Sequence, residues 1–247
     1  MLIIIVLIAL IFIYIWFNPT VALIPYNNFI SLITDKKVFY SNLEKQEIFP
    51  ESKLFEKYHK NIKKEALNVF NLIKGNVGKE FIQQKDEFWK GWNTFPLRMF
   101  GQDISANLKL CPTLSKLLSE CDEVVTAFFS MMDPGKKLDS HYGPFKGILR
   151  YHLGLAIPKD RNNCFISVDN NIYCWEEEKG ILFDETYKHF VHNDTEEYRI
   201  ILFLDIKRPL SPILSTVNDL ILNVIGLSPH NQKVVKRYKQ QLLNQIC

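Results

Sequence analysis

The sequence has few cysteines, and their arrangement excludes two common kinds of small framework. Its 247 residues include five cysteines, an odd number, and no CxxC pair. A disulfide framework uses an even set, and a structural zinc site uses closely spaced pairs. We therefore expect reduced thiols in a domain that faces the cytosol, at Cys111, Cys121, Cys164, Cys174 and Cys247.

Low-complexity runs and an excess of charge of one sign are also absent. Ten glycines and 11 prolines are too few for a collagen-like or disordered chain, and 47% hydrophobic residues supply a core. The net charge of +3 comes from 30 basic and 27 acidic side chains spread along the sequence. Because no basic stripe is available to follow a phosphate backbone, we expect no nucleic-acid partner.

One uncharged apolar run is present, at residues 1–17 (MLIIIVLIALIFIYIWF). As a helix it would nearly cross a hydrocarbon core of about 30 Å. It lacks the basic start and small-residue cleavage site of a signal peptide, and it ends in aromatic residues that suit the membrane interface. We therefore expect a single-pass transmembrane anchor. Lys36 and Lys37 follow it, and positive-inside reasoning predicts a cytoplasmic catalytic domain.

The remaining chain divides into three regions by pattern. Residues 18–122 are predicted to be mainly helical and to pack on the core, although the aromatic cluster Phe88, Trp89, Trp92 and Phe95 has two interpretations, core or substrate groove. Residues 123–209 contain short strand-like runs separated by turns, which predict an antiparallel jelly roll. Residues 210–247 return to helical periodicity, and this tail could pack on the sheet or lie on an anionic leaflet. The fold class is thus α+β.

Of the six histidines, three fall in the strand-rich region at positions that make chemical sense together, His141, His152 and His189. Arg199 follows the last of them by ten residues. Two histidines several strands apart and a later basic residue form the layout of non-haem Fe(II) oxygenases that use 2-oxoglutarate. Imidazoles suit Fe(II), and a buried arginine can bind a carboxylate through two hydrogen bonds.

Two structural alternatives accompany this interpretation. Alternation along the strand places Arg150 and His152 on one face, where they need partners. A bound dicarboxylate could supply them, or an internal salt bridge to Asp184 could. His192 is the rival to His189 as second metal ligand, although it lies in a more polar, turn-like segment.

The amino-acid sequence of this region resembles that of the aspartyl/asparaginyl β-hydroxylase family. The similar segments are FFSMMDPG, HYGP, LRYHLGLAIP and LFDETYKH, together with the strand around Arg199. The resemblance implies a double-stranded β-helix with iron held by His141 and His189, and with 2-oxoglutarate and O₂ as cosubstrates.

The same resemblance implies that four residues contact 2-oxoglutarate, namely Ser130, Arg150, His152 and Arg199. One departure from the usual facial triad is that Gly143 stands where a carboxylate follows the first histidine. Many family members share this missing carboxylate, so the resemblance still implies activity through a two-histidine site.

Two branches of the family suggest two substrates. The sequence motifs are most similar to those of bacterial lipid A acyl-chain hydroxylases, which also have a membrane anchor. In lacking a carboxylate at Gly143, however, the sequence resembles the peptidyl-aspartyl/asparaginyl hydroxylases. We expect hydroxylation of an unactivated C–H bond of a lipid (lipid A-like) acyl chain or, alternatively, of a peptidyl Asp or Asn in a membrane-associated protein. A catalytically inactive, membrane-tethered binding module is the second alternative.

Overall fold

The computed structural model of the protein describes residues 23–75 and 90–246. The predicted anchor at residues 1–17 lies outside these ranges, as do Phe88 and Trp89. Within them, no helix combines the length and the apolar character needed to cross a bilayer.

Six of the eight α-helices of the described chain lie toward its two ends, and two short ones lie among the strands. In chain order they are α1 (Ile24–Ile33), α2 (Asn42–Ile48), α3 (Ser52–Lys57), α4 (His59–Gly75), α5 (Ser105–Leu108), α6 (Pro112–Ser119), α7 (Pro212–Leu227) and α8 (Pro229–Ile246). The two among the strands are α5 and α6. A capping box begins α2, where Ser41 and Glu44 satisfy each other's backbone N–H groups. Proline begins α6 and α7, where a missing N–H costs nothing.

Strands fill the middle of the chain. They are β1 (Phe39–Tyr40), β2 (Trp92–Met99), β3 (Gln102–Asp103), β4 (Val124–Met132), β5 (Lys137–His141), β6 (Ile148–Ala156), β7 (Cys164–Val168), β8 (Asn171–Cys174), β9 (Gly180–Phe183), β10 (His189–Asn193) and β11 (Arg199–Lys207). The large sheet has the order β1-β9-β6-β11-β4-β2-β3, and the small sheet has the order β5-β10-β7-β8. All their ladders are antiparallel.

The strands β4 to β11 form the predicted jelly roll. Four of them, in the order β9-β6-β11-β4, make the centre of the large sheet and face the four strands of the small sheet. This exchange of strands between two sheets is the double-stranded β-helix that the sequence predicts. The α+β class is therefore confirmed for the described residues.

Three apolar clusters hold these layers together. The outer face of the large sheet packs against α3, α4 and α6 through residues such as Phe55, Ile62 and Leu114. The space between the sheets contains Trp175, Phe183 and other large side chains. A third cluster lies at one end of the jelly roll, where α1 and α7 meet the sheet, and consists of Leu23, Val125, Phe145, Ile148, Ile221, Leu222 and Ile225.

The region that we predicted to be mainly helical also supplies strands β1, β2 and β3 to the large sheet. The strand β2 was not predicted because it contains Pro96. Proline cannot donate to a ladder, so it lowers the strand signal of the sequence. A register shift between Pro96 and Arg98 accommodates it against β4. Of the aromatic cluster, Phe95 is buried in the outer core, while Trp92 packs against the cluster between the sheets.

A buried ion cluster joins the end of β9 to the segment after β11. Asp184 pairs with Lys146 at 2.7 Å and with Arg208, and all three side chains are at least nine-tenths buried. Burial alone would raise the pKa of the Asp184 carboxyl, but Arg208 and Lys146 outweigh it and lower that pKa below its usual range. The carboxylate is therefore held in its charged form.

We expect Asp184→Asn to lower the free energy of unfolding by about 3–5 kcal/mol, because it leaves two buried cations without a counterion. Urea titration at pH 7 measures this. Since the folded-state pKa is depressed, the contribution is present above about pH 4, the unfolded value, and is lost as the pH falls through the lower folded value. Asp194→Asn, which breaks an exposed pair with Lys137, is the control and should cost less than about 1 kcal/mol.

Candidate active site

Two histidines face each other across neighbouring strands of the small sheet. His141 ends β5, His189 begins β10, and the antiparallel register pairs them directly. Their ring centroids are 4.1 Å apart. Residues that are opposite each other in an antiparallel pair are the closest that two strands allow, so residues 48 positions apart in sequence form one site.

Backbone carbonyls fix the tautomer of both rings. Nδ1 of His141 lies 2.7 Å from the carbonyl oxygen of Asp139, and Nδ1 of His189 lies 2.9 Å from that of Tyr187. A carbonyl only accepts, so each Nδ1 carries the hydrogen and each Nε2 carries the lone pair. Hydrogen bonds of this kind from Nδ1 orient histidines that ligate metals through Nε2.

The environment also keeps His189 neutral. Burial lowers its pKa to about 4, although the carbonyl of Tyr187 opposes this effect. Neutral imidazole is the form that binds a metal ion. The tautomers of both rings and the neutral form of His189 therefore fit a metal ion such as Fe(II).

The space beside Gly143, where a facial triad would have its carboxylate ligand, is filled by the carboxylate of Glu185. The N–H of Gly143 donates to the carbonyl of Glu185 at 2.8 Å, and a Cβ atom placed on Gly143 would lie 1.9 Å from the carboxyl carbon of Glu185. Glu185 thus occupies the space that an aspartate at position 143 would need. Among the described residues, no three His, Cys, Asp or Glu side chains are grouped closely enough to hold a metal ion.

A buried polar pocket lies between the sheets, on the inward faces of β4, β6 and β11. Its members are Ser130, His152 and Arg199, each at most 5% exposed, beside the ring of Trp175. The guanidinium of Arg199 lies 4.9 Å from the Trp175 ring and makes one long hydrogen bond, 3.4 Å, to the Ser130 hydroxyl. Burial lowers the pKa of Arg199 to about 10, which leaves it charged at neutral pH.

This pocket contains polar atoms without partners. Within the described ranges, Nε of Arg199, both ring nitrogens of His152 and Nε1 of Trp175 are buried and lack a hydrogen bond. In the same ranges, no carboxylate pairs with Arg199. A buried cation without a counterion costs several kcal/mol, so the pocket fits an anionic ligand. A dicarboxylate bound there has the donors it requires.

Arg150 has a different environment from the one we predicted. It shares the inward face of β6 with His152, but its guanidinium pairs with Glu185 at 2.6 Å and with Asp205 at 2.9 Å. The alternative of a salt bridge to Asp184 is wrong, because Asp184 faces Lys146 and Arg208 instead. Contact of Arg150 with 2-oxoglutarate stays a prediction, and the structure already supplies this cation with two carboxylates.

The rival ligand His192 lies away from the pair. Alternation along β10 puts His189 and Val191 inward and His192 on the other face, where its ring contacts Phe165 and Phe190. Its Nδ1 is 3.6 Å from Asp194. This geometry favours His189 as the partner of His141.

Three further residues belong to the site; the sequence offers Trp92 as core or substrate groove, while Glu185 and Trp175 were not predicted. Glu185 and Trp175 lie within or beside the segments that carry the family resemblance, so their location was a usable signal. Trp92 donates from Nε1 to the Ser130 hydroxyl at 2.8 Å. The role of Trp92 depends on the pairing of β2 with β4, and no local sequence pattern predicts that pairing.

Comparison with known proteins gives relatives of two kinds. The chain is 36% identical over 149 residues to an ornithine lipid ester-linked acyl 2-hydroxylase from Rhizobium tropici, covering 60% of this chain and 53% of that protein. It is 32% identical over 164 residues to the aspartyl/asparaginyl beta-hydroxylase of Mus musculus, covering 64% and 21%. The chain thus spans about half the length of the Rhizobium tropici protein and about a fifth of the length of the mouse protein.

A solved structure of a cupin domain from an XRE-family transcriptional regulator of Enterobacter cloacae aligns with a TM-score of 0.34 and 11% identity. It covers 48% of this chain and 99% of that domain. A likeness of this extent adds nothing to the strand order described above. The family model for aspartyl/asparaginyl beta-hydroxylase, in contrast, matches residues 56–209, which contain both histidines and the polar pocket. The chain belongs to the aspartyl/asparaginyl beta-hydroxylase family.

Proposed function

We propose that this protein is an Fe(II)- and 2-oxoglutarate-dependent dioxygenase that hydroxylates an unactivated C–H bond. The observation that carries the proposal is the combination of two histidines in the Nε2-ligating tautomer with a buried arginine that lacks a carboxylate partner in the described ranges. One half of the site fits a metal ion, and the other fits an anion. Membership of a hydroxylase family supports the same reaction class.

Each residue of the site has a distinct role in this proposal. His141 and His189 would hold the iron, which when bound supplies the activation of O₂ coupled to decarboxylation of 2-oxoglutarate to succinate. Arg199 would bind the distal carboxylate of 2-oxoglutarate, and His152 would add a hydrogen bond. Because Ser130 accepts from Trp92, its own O–H would be available to donate to a carboxylate oxygen of the cosubstrate.

The proposed substrate is an acyl chain of a membrane lipid. The Rhizobium tropici relative is named for an acyl 2-hydroxylation, and the apolar residues 1–17 would anchor the active site beside a bilayer, with the domain on the cytoplasmic side. Such an anchor raises the effective concentration of lipid without any new contact. A peptidyl Asp or Asn of a membrane-associated protein is the second candidate, which the mouse relative favours.

An inactive binding module is the remaining alternative. It would also need a ligand for Arg199, so binding of 2-oxoglutarate alone does not separate it from an enzyme. Turnover does, because a binding module releases no succinate.

Replacing His141 or His189 by Ala should abolish succinate release from 2-oxoglutarate, with a loss of at least about 100-fold, since either change leaves one protein ligand for the iron. The second readout is Mn(II) binding by electron paramagnetic resonance, which should weaken in both variants. His192→Ala is the control and should retain both. Unchanged succinate release in either ligand variant would contradict the assignment.

Arg199→Lys should raise the apparent KM for 2-oxoglutarate by about tenfold, because an ammonium group cannot reproduce the two-pronged contact of a guanidinium with a carboxylate. The KM for the hydroxylated substrate should change little. Arg98→Lys, at a part-buried pair with Asp103 outside the site, is the matched control. An equal response of both variants would place the carboxylate contact elsewhere.

The two substrate classes can be compared directly with the full chain in nanodiscs. Succinate release should be stimulated by an ornithine-containing acyl lipid and should rise several-fold over the uncoupled rate. An Asp/Asn-containing peptide should give no stimulation. Stimulation by the peptide alone would contradict the lipid substrate and leave the dioxygenase assignment standing.

A further inference from the structure

A cavity of about 270 Å³ lies at the end of the jelly roll that α1 and α7 cover. Its walls include Leu23, Phe145, Ile148, Leu222 and Ile225, which belong to the third apolar cluster. Packing defects in protein interiors are few and rarely exceed the size of a water molecule. Walls that are mostly apolar, with a few polar groups, suit the apolar part of a ligand.

The inner end of the cavity is polar and adjoins the histidine pair. Arg150, Glu185 and Asp205 line it there, and they form the ion pairs described above. Glu185 is also the residue whose carboxylate fills the space beside Gly143, two positions after His141. A ligand that fills the cavity would therefore end next to the proposed metal site.

The two covering helices are apolar on their outer faces as well. On α1, Leu32 is 82% exposed, and Ile24, Phe29 and Ile33 are exposed too. On α7, Ile213 is 79% exposed, together with Val217, Leu220 and Leu227. Exposed apolar patches of this kind mark contact with a membrane or a partner, and the apolar residues 1–17 precede α1 in the same chain.

We propose that the cavity is the acyl-chain site of the enzyme, and that the outer faces of α1 and α7 rest on the bilayer from which the chain enters. This inference deepens the proposed function and rests on it for the identity of the reaction. The occupant is a stretch of methylene groups from a membrane lipid, since the walls offer apolar contact and the only charges of the described lining lie at the inner end.

A photoreactive probe tests the site without turnover. The full chain in nanodiscs, without iron or 2-oxoglutarate, is irradiated with a diazirine-bearing fatty acyl chain, presented once as the free acid and once esterified in phosphatidylcholine. Mass spectrometry of the labelled peptides should locate label on the inward residues of α7. Unlabelled competitors should gain about fourfold in affinity per added methylene until the cavity is full.

Leu222→Trp fills the cavity and should reduce labelling at least about tenfold, whereas Leu43→Trp, at an exposed position on α2 outside the proposed membrane face, should leave it unchanged. Thermal unfolding checks that each variant is folded. If Leu222→Trp does not fold, Ile148→Phe takes its place as the cavity-filling variant. Equal labelling of the filled variant and the control overturns the proposal. So does labelling by the free acid but not by the esterified chain, because the source is then not a membrane lipid.

The outcome is separable from that of the proposed function. Labelling that depends on position 222, in a protein that releases no succinate with iron and 2-oxoglutarate, would uphold the cavity site and contradict the dioxygenase. Succinate release without labelling of the cavity would do the reverse.

Discussion

The pairing of β5 with β10 is the constraint on which the rest of the site depends. It is a backbone ladder, and its register alone decides that His141 and His189 meet. A slip of one residue would turn His189 to the opposite face of the sheet and bring His192 inward instead. The buried side chains Leu138 and Val191 oppose such a slip, because they belong to the cluster between the sheets. The apolar core therefore determines the geometry of a polar site.

Much of the fold could be predicted from the sequence because its signals are local. The short strand-like runs of β4, β6 and β11 and the turn-rich segments between strands predict a jelly roll, and the spacing of the histidines and Arg199 indicates the chemistry. The strand β2 could not be predicted in this way. It contains Pro96, and its stability comes from a ladder with β4, about 30 residues away in sequence.

The partners of the charged residues were harder to predict than their positions. Alternation places Arg150 inward, but three nearby carboxylates compete for it, and Asp184 is only one residue from Glu185. Successive residues point in opposite directions where β9 ends, so Asp184 meets Lys146 and Arg208, while Glu185 meets Arg150. The packing of the sheets decides which carboxylate faces which cation, and the spacing of residues in the sequence does not predict it.

The contacts of α1 have a consequence for how the domain is divided into fragments. The hydroxyl of Tyr26 donates to Asn218 at 2.8 Å, and Asn27 bonds both the carbonyl of Pro144 and the N–H of Lys146. These bonds join the start of the described chain to α7 and to the segment after β5. A soluble fragment that begins after Ile33 would lose them and would expose the third apolar cluster to water, so the first usable boundary lies before Leu23.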